Sequence, residues 1–177
     1  MDKIIIKTYQ NKDHEASRDL LKEVLSIDEE NLDYNERGKP YLKDGSLFFN
    51  ISHSRGIIGI AVSDREIGFD LERVKDVSLD TLKMLSEKIY NDSDRRNNAC
   101  DIASIQKVFT IKEAYLKYIG IGLVMNINKI IIDYDNKTIK YQDYREGHYK
   151  TYEYCDILFS VVSSETNEYE IIYKGLN

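Results

Sequence analysis

Cysteine is scarce: the chain has two, Cys100 and Cys155, and neither sits in a CxxC or CxxH arrangement. That argues against a disulfide framework and leaves no zinc-ligand spacing, so free thiols in a reducing compartment are expected. Proline occurs once, at Pro40, and no segment is rich in Pro, Gly or Ser. The chain therefore shows no linker between independent domains, no low-complexity stretch and no short repeat. A basic surplus is missing as well, with 25 Lys and Arg against 31 Asp and Glu, a net charge of -6. Phosphate backbones need a basic footprint, so no nucleic-acid partner is expected, although a small phosphate-bearing ligand needs only a local patch. No apolar run approaches a membrane span, and Met1 to Gln10 lacks the basic start and long apolar stretch of a signal peptide. A soluble, cytoplasmic protein without a membrane partner is expected.

What is present suits one large domain or two closely packed halves, since 177 residues with 42% apolar composition can bury a sizeable core. The pattern predicts a strand over Lys3 to Thr8 and a helix from Asp13 to Leu25, with Ala16, Leu20, Leu21, Val24 and Leu25 at helical spacing. Asn31 to Gly45 reads as a loop or edge segment. Leu47 to Ile51, Ile57 to Val62 and Ile67 to Leu71 read as three strands of an antiparallel meander, the first two joined by the polar turn Ser52 to Gly56. A helix is expected over Ser78 to Tyr90, a solvated loop over Asn91 to Cys100, and a long helix from Ile102 to Ile119 that Gly120 and Gly122 end. Four strands follow: Ile127 to Asp133, Thr138 to Gln142, Tyr149 to Val162 and Tyr169 to Tyr173, with Asp135 to Lys137 as a hairpin turn. Helix-then-strands occurring twice predicts an α+β fold of two similar halves packed together, residues 1–72 and 73–177.

Four stretches carry chemistry. In GFDLERV, strand alternation puts Ile67, Phe69 and Leu71 on one side and Gly68, Asp70 and Glu72 on the other. Residues two apart lie roughly 6.5 Å apart along a strand, so both carboxylates can reach one hard cation; the same pattern also fits a solvated strand face. In FTIKEAYLK, Glu113 and Lys117 share a helix face, either as an ordinary surface ion pair or as a place to hold a metal beside a phosphate. FNISHS lacks the GxSxG elbow of a serine hydrolase, and adjacent Ser52 and His53 do not make a nucleophile–base pair. That polar run suits anion binding or a plain strand-end turn. Lys39, pinned between Gly38 and Pro40, is either a phosphate contact or a surface lysine. It belongs to no P-loop, and Gly120-Ile121-Gly122 ends a helix where a dinucleotide fingerprint would open one.

In this order, GKPYL, FNISHS, IGFDLE and FTIKEAYLKYIGIGL span Gly38 to Leu123, and the set resembles the 4'-phosphopantetheinyl transferases. The match is to the larger, pseudo-dimeric branch named for the surfactin-synthetase activator. The smaller trimeric holo-acyl-carrier-protein synthases carry the acidic strand motif near their N-terminus, whereas here it begins only at Ile67. The resemblance implies Mg2+-dependent transfer of the phosphopantetheine arm of coenzyme A to a serine of an acyl, peptidyl or aryl carrier protein. Adenosine 3',5'-bisphosphate would be released, by an enzyme that works as a monomer with its site between the halves. It implies that Asp70, Glu72 and Glu113 hold the metal, and that Lys39, Ser52, His53 and Lys117 contact the phosphates. Glu113, Lys117 and His53 are then the catalytic residues, Glu113 as the base. The alternative is a coenzyme A or nucleotide-binding module with the same fold and no catalysis.

Three departures accompany the resemblance. Phe109 stands where many relatives have Trp, which keeps an aromatic. Ile89 stands near a position where many carry a further acid, with Glu87 or water as substitutes. The N-terminal region is short, so the family's extra basic contacts to the 3'-phosphate are not placed, with Lys12, His14 and Arg18 as candidate contributors. For docking an acidic carrier, the local basic candidates are Arg95, Arg96 and Lys107.

Overall fold

The computed structural model describes residues 2–10, 12–122 and 126–176; Leu123, the last residue of the longest motif, lies outside them. Strand β1 (Lys3–Thr8) and helix α1 (Asp13–Leu25) occupy the expected residues, and α1 ends where Ser26 turns left-handed at φ 56°. Asn31 to Gly45 is more ordered than its polarity suggests. Leu32–Tyr34 (β2) and Pro40–Leu42 (β3) form a hairpin, with Tyr34 opposite Pro40.

Strands β4 (Phe48–Ser54), β5 (Ile57–Ser63) and β6 (Ile67–Arg73) follow, and here the meander expectation fails. The first two pair antiparallel, with the strand running through Ser52 to Ser54 and only Arg55 and Gly56 left for the turn. β6 leaves them and joins another sheet.

Past β6 come α2 (Leu79–Ile89), capped by the Ser78 hydroxyl, and α3 (Asp92–Asn97), where a solvated loop was expected. The long helix α4 covers Ile102–Ile119 and stops at Gly120, φ 73°. The remaining strands are β7 (Ile131–Asp133), β8 (Thr138–Lys140), β9 (Gly147–Tyr154), β10 (Ile157–Ser163) and β11 (Glu170–Lys174). The single strand read over Tyr149 to Val162 is thus two, because Cys155, at φ 52°, turns the chain.

Two main sheets result, ordered β11-β1-β5-β4 and β6-β10-β9-β8-β7. Membership does not divide at residue 72: β6 pairs antiparallel with β10, and β11 pairs parallel with β1. The layers follow from side-chain alternation. On one face of the first sheet Ile5, Ile58, Ile60 and Val62 pack under Ala16, Leu20 and Leu21 of α1. On its other face Ile4, Ile6, Ile57 and Ala61 meet Ile67, Phe69, Leu71, Phe159 and Val161 of the second sheet. The far side of the second sheet is covered by α4, through Val108, Ile111 and Tyr115 against Val162, and α2 packs on α4 through Leu82, Leu85 and Ile89. The order helix, sheet, sheet, helix is an α+β architecture in which each sheet carries its helix outside.

Candidate active site

Edge strands β4 and β6 meet at the seam between the sheets, and side chains replace the missing backbone ladder. Asn50 Oδ1 accepts the Phe69 N–H at 3.3 Å. The Ser52 hydroxyl donates to Asp70 Oδ1 at 2.7 Å, and the Ser54 hydroxyl donates to Glu72 Oε2 at 2.7 Å. The period-two pattern of Asn50, Ser52 and Ser54 therefore matches the period-two acids across the seam.

Asp70 and Glu72 face α4, and this is no solvated face. Gly68 brings the strand against the helix, so that a β-carbon there would lie 1.9 Å from the Ala114 carbonyl oxygen and 2.4 Å from the Tyr118 nitrogen. This approach sets Asp70 beside the helix face of Glu113 and Lys117. The Lys117 ammonium donates to Asp70 Oδ1 at 2.7 Å, so the alternative of an ordinary Glu113–Lys117 surface pair is not the one this structure shows. Glu113 is buried, and its Oε1, like Asp70 Oδ2, is enclosed without any hydrogen-bond partner.

Two enclosed carboxylate oxygens without donors are costly unless a proton or cation arrives. The first outcome follows from the surroundings: burial, then the Asp70 charge, pushes the Glu113 carboxyl up to about 7 despite the opposing Lys117. Burial likewise raises Glu72, with Asp70 adding to it and the Ser54 hydrogen bond working against it. The second outcome suits a hard cation, because magnesium takes one or two carboxylates and completes its shell with water and phosphate oxygens. Asp70 and Glu113 fit that donor set. Glu72 is turned toward Ser54, and among the described residues no three His, Cys, Asp or Glu side chains converge as a ready metal cage.

Beside these acids opens a cleft of about 370 Å³ between α1, the β2–β3 hairpin, β4 and the end of α4, lined by Arg18, Arg37, Lys39, His53 and Lys117, with Glu29 as the one acid among the described residues on its wall. In a chain of net charge -6, that is a local basic patch suited to an anion. Lys39 sits at its inner end, donating to the Lys117 carbonyl at 2.7 Å; burial lowers its pKa. Arg37, which the motif reading passed over, donates to the Ile121 carbonyl, so two cations close the C-terminal end of α4. His53 stands on the cleft wall, half-exposed, with Nδ1 3.4 Å from Asp13 Oδ2. Arg18 and His14 line the cleft opposite Glu29. Lys12 is exposed and does not line it.

The sequence departures resolve locally. Phe109 packs half-buried against the core of α4. Ile89 lies in that same core, and Glu87 points to solvent, so neither supplies an acid. Arg95 is partly committed, donating to the Ser86 carbonyl at 3.1 Å, while Arg96 and Lys107 are exposed. Cys100 and Cys155 are both free and exposed.

Comparison with known proteins agrees with the geometry. The family model for the 4'-phosphopantetheinyl transferase superfamily matches residues 66–171, from the acidic strand through α4 to β11. The chain is 33% identical over 142 residues to 4'-phosphopantetheinyl transferase gsp of Aneurinibacillus migulanus, covering 77% of this chain and 59% of that protein. Against a 4'-phosphopantetheinyl transferase of Bacillus subtilis the identity is 30% over 99 residues, 55% of this chain and 44% of the other. Against AcpT of Salmonella typhi it is 31% over 112 residues, 59% and 57% of the two chains. The chain spans about half the length of the curated relatives it matches. With the acidic strand and the buried helix acid both inside the matched region, the chain belongs to the 4'-phosphopantetheinyl transferase superfamily.

Proposed function

We propose that this chain transfers 4'-phosphopantetheine from coenzyme A to a serine of an acyl, peptidyl or aryl carrier protein, with Mg2+, releasing adenosine 3',5'-bisphosphate. The observation that carries the reading is the junction of a basic cleft with two donorless, buried carboxylate oxygens, on Asp70 and Glu113. An anion bound in the cleft places its phosphates where Lys39, His53 and Lys117 supply positive charge, and Ser52 a hydroxyl. Asp70 and Glu113 would hold the metal, with Glu72 beside them; when bound it neutralises pyrophosphate oxygens and stabilises the leaving group. Glu113 accepts the proton of the attacking serine. A carboxyl tuned toward neutrality suits that task better than an ordinary one. Arg96 and Lys107 offer charge for docking an acidic carrier. The proposed setting is the cytoplasm, with the protein acting as a monomer; among the described residues no helix is long and apolar enough to cross a membrane.

The test is direct: incubate the protein with coenzyme A, Mg2+ and several apo carrier proteins, and weigh the carriers. A gain of one phosphopantetheine is expected. Coenzyme A binding without mass gain on any carrier would favour a non-catalytic binding module.

Metal binding has its own signature. A raised carboxyl pKa means that the folded state holds the proton more tightly than the unfolded chain. Its stabilising contribution is complete below the ordinary value of 4.5 and is lost as pH rises through about 7. Mg2+ needs the ionised form, so at pH ~6 it must displace a proton and at pH ~8 it need not. The Mg2+-induced rise in Tm is therefore expected to be larger at the higher pH. Equal rises would separate Glu113 from the metal.

A further inference from the structure

Beside Glu113 on α4 lies a charge that the proposed chemistry does not use. Lys112 and Asp94 are both fully buried, with Lys112 Nζ 2.6 Å from Asp94 Oδ2. The same ammonium donates to the Ile89 carbonyl at 2.9 Å, at the end of α2. Asp94 is saturated in turn. Its Oδ1 accepts the Tyr134 hydroxyl at 2.6 Å, from the turn between β7 and β8, and its Oδ2 accepts the Asn91 N–H at 2.9 Å. Asn98 Nδ2 donates to the Tyr134 hydroxyl at 2.9 Å and to the Asp94 carbonyl at 3.1 Å. One ion pair thus ties α4 to α2, to α3 and to the β7–β8 turn.

Such a pair is weak evidence of stability, because desolvation offsets its attraction and an apolar pair of similar volume often does as well. It does add direction. Ile105, Val108 and Ile111 add apolar contacts to α4, and apolar burial is non-directional; one turn further on, the Tyr115 hydroxyl donates to the Arg145 carbonyl and accepts the Tyr141 N–H, both at 3.0 Å, toward the other end of the sheet. A rotation of about 20° about the helix axis moves a side-chain tip at a radius of about 5–6 Å by roughly 2 Å. A displacement of about 1 Å at a reacting group can cost about 100-fold in rate. Lys112 and Glu113 are neighbours on the helix, so whatever fixes the azimuth of the first fixes that of the second. We propose that the buried Lys112–Asp94 pair, braced by Tyr134, is the register device of the active-site helix, holding Glu113 and Lys117 toward Asp70. Lys112 and Asp94 are positioning residues and touch no substrate.

The transfer readout rests on the function proposed above, so a second readout is independent of it: the Lys117–Asp70 contact in crystal structures of the variants. Two variants of the whole chain are used. Tyr134→Phe removes one donor to Asp94. The double variant Asp94→Leu/Lys112→Met removes both charges and keeps apolar bulk. The double variant is expected to melt lower than the wild type, because the Tyr134 hydroxyl, the Asn91 N–H and the Ile89 carbonyl each lose a partner, but to stay folded at the assay temperature. Its kcat is nevertheless expected to fall at least ~30-fold, by misplacement of Glu113, with KM for coenzyme A within about threefold. Its crystal structure should show α4 turned and Lys117 parted from Asp70. Tyr134→Phe should lose about fivefold in kcat at unchanged KM. A double variant that keeps the Lys117–Asp70 contact overturns the proposal whatever the transfer assay shows, and so does one whose kcat matches wild type. If the double variant does not fold, unchanged kcat in Tyr134→Phe overturns it instead. A wild type that transfers nothing would sink the function and leave the register to be decided by the structures.

Discussion

Adding one methyl group at Gly68 is expected to lower Tm by about 10 °C and to cut transfer at least ~100-fold. The β-carbon would lie 1.9 Å from the Ala114 carbonyl oxygen, 2.4 Å from the Tyr118 nitrogen and 2.8 Å from the Tyr118 β-carbon. Two of those three atoms are helix backbone, which cannot swing aside as the end of a side chain can. Either β6 or α4 must move, and overpacking of this kind costs about 3 kcal/mol. Both elements carry site residues, Asp70 on the strand and Glu113 and Lys117 on the helix, so separating them opens the site as it strains the fold. Thermal melting and steady-state transfer by Gly68→Ala check the two halves of the expectation. A variant with wild-type Tm and turnover would show that the seam is looser than these distances require.

Glu113→Gln is expected to reduce kcat by roughly 1,000-fold, within the span usual for loss of a general base, while coenzyme A binding changes by only a few-fold. The stability of this variant should move the other way. With no metal at pH ~8, wild-type Glu113 is ionised, although burial first and the Asp70 charge second lift its carboxyl to about 7. Glutamine has nearly the same shape and no charge, so metal-free Glu113→Gln should melt higher than wild type at pH ~8, and the gain should shrink toward pH ~5. Added Mg2+ should raise the Tm of the wild type more than that of the variant. A slower and less stable variant would mark Glu113 as a structural acid.

The parts of the fold legible in the sequence are those set by local periodicity. β1, α1 and α4 occupy the expected residues because their apolar residues mark them out, and Gly120 marks the end of α4. What was not legible depends on distant partners. Nothing local in GFDLERV says that β6 pairs with β10, more than eighty residues later, and not with β5. Asn91 to Cys100 reads as solvated because its one buried residue, Asp94, is made tolerable by Lys112 and Tyr134 far along the chain. The site shows the same division. Ser52, Asp70, Glu113 and Lys117 come together as the motif order implied, whereas Glu72 is taken up by Ser54 and His53 stands toward Asp13. Gly68 was visible as part of a strand face, but its closeness to α4 is a property of the packing alone.

The parallel pairing of β1 with β11 has a consequence for how the chain is made. Lys3 lies opposite Glu170, so the Ile-rich first strand emerges from the ribosome long before its neighbour exists. Until then β1 can pair only with β5, and its other edge presents unpaired backbone groups along Lys-Ile-Ile-Ile-Lys-Thr. Contacts of such sequence separation form slowly, and the waiting edge is a template for intermolecular pairing during synthesis. Lys3 and Lys7, at either end of the isoleucine run, put like charges on neighbouring nascent chains and discourage that pairing while β11 is still to come.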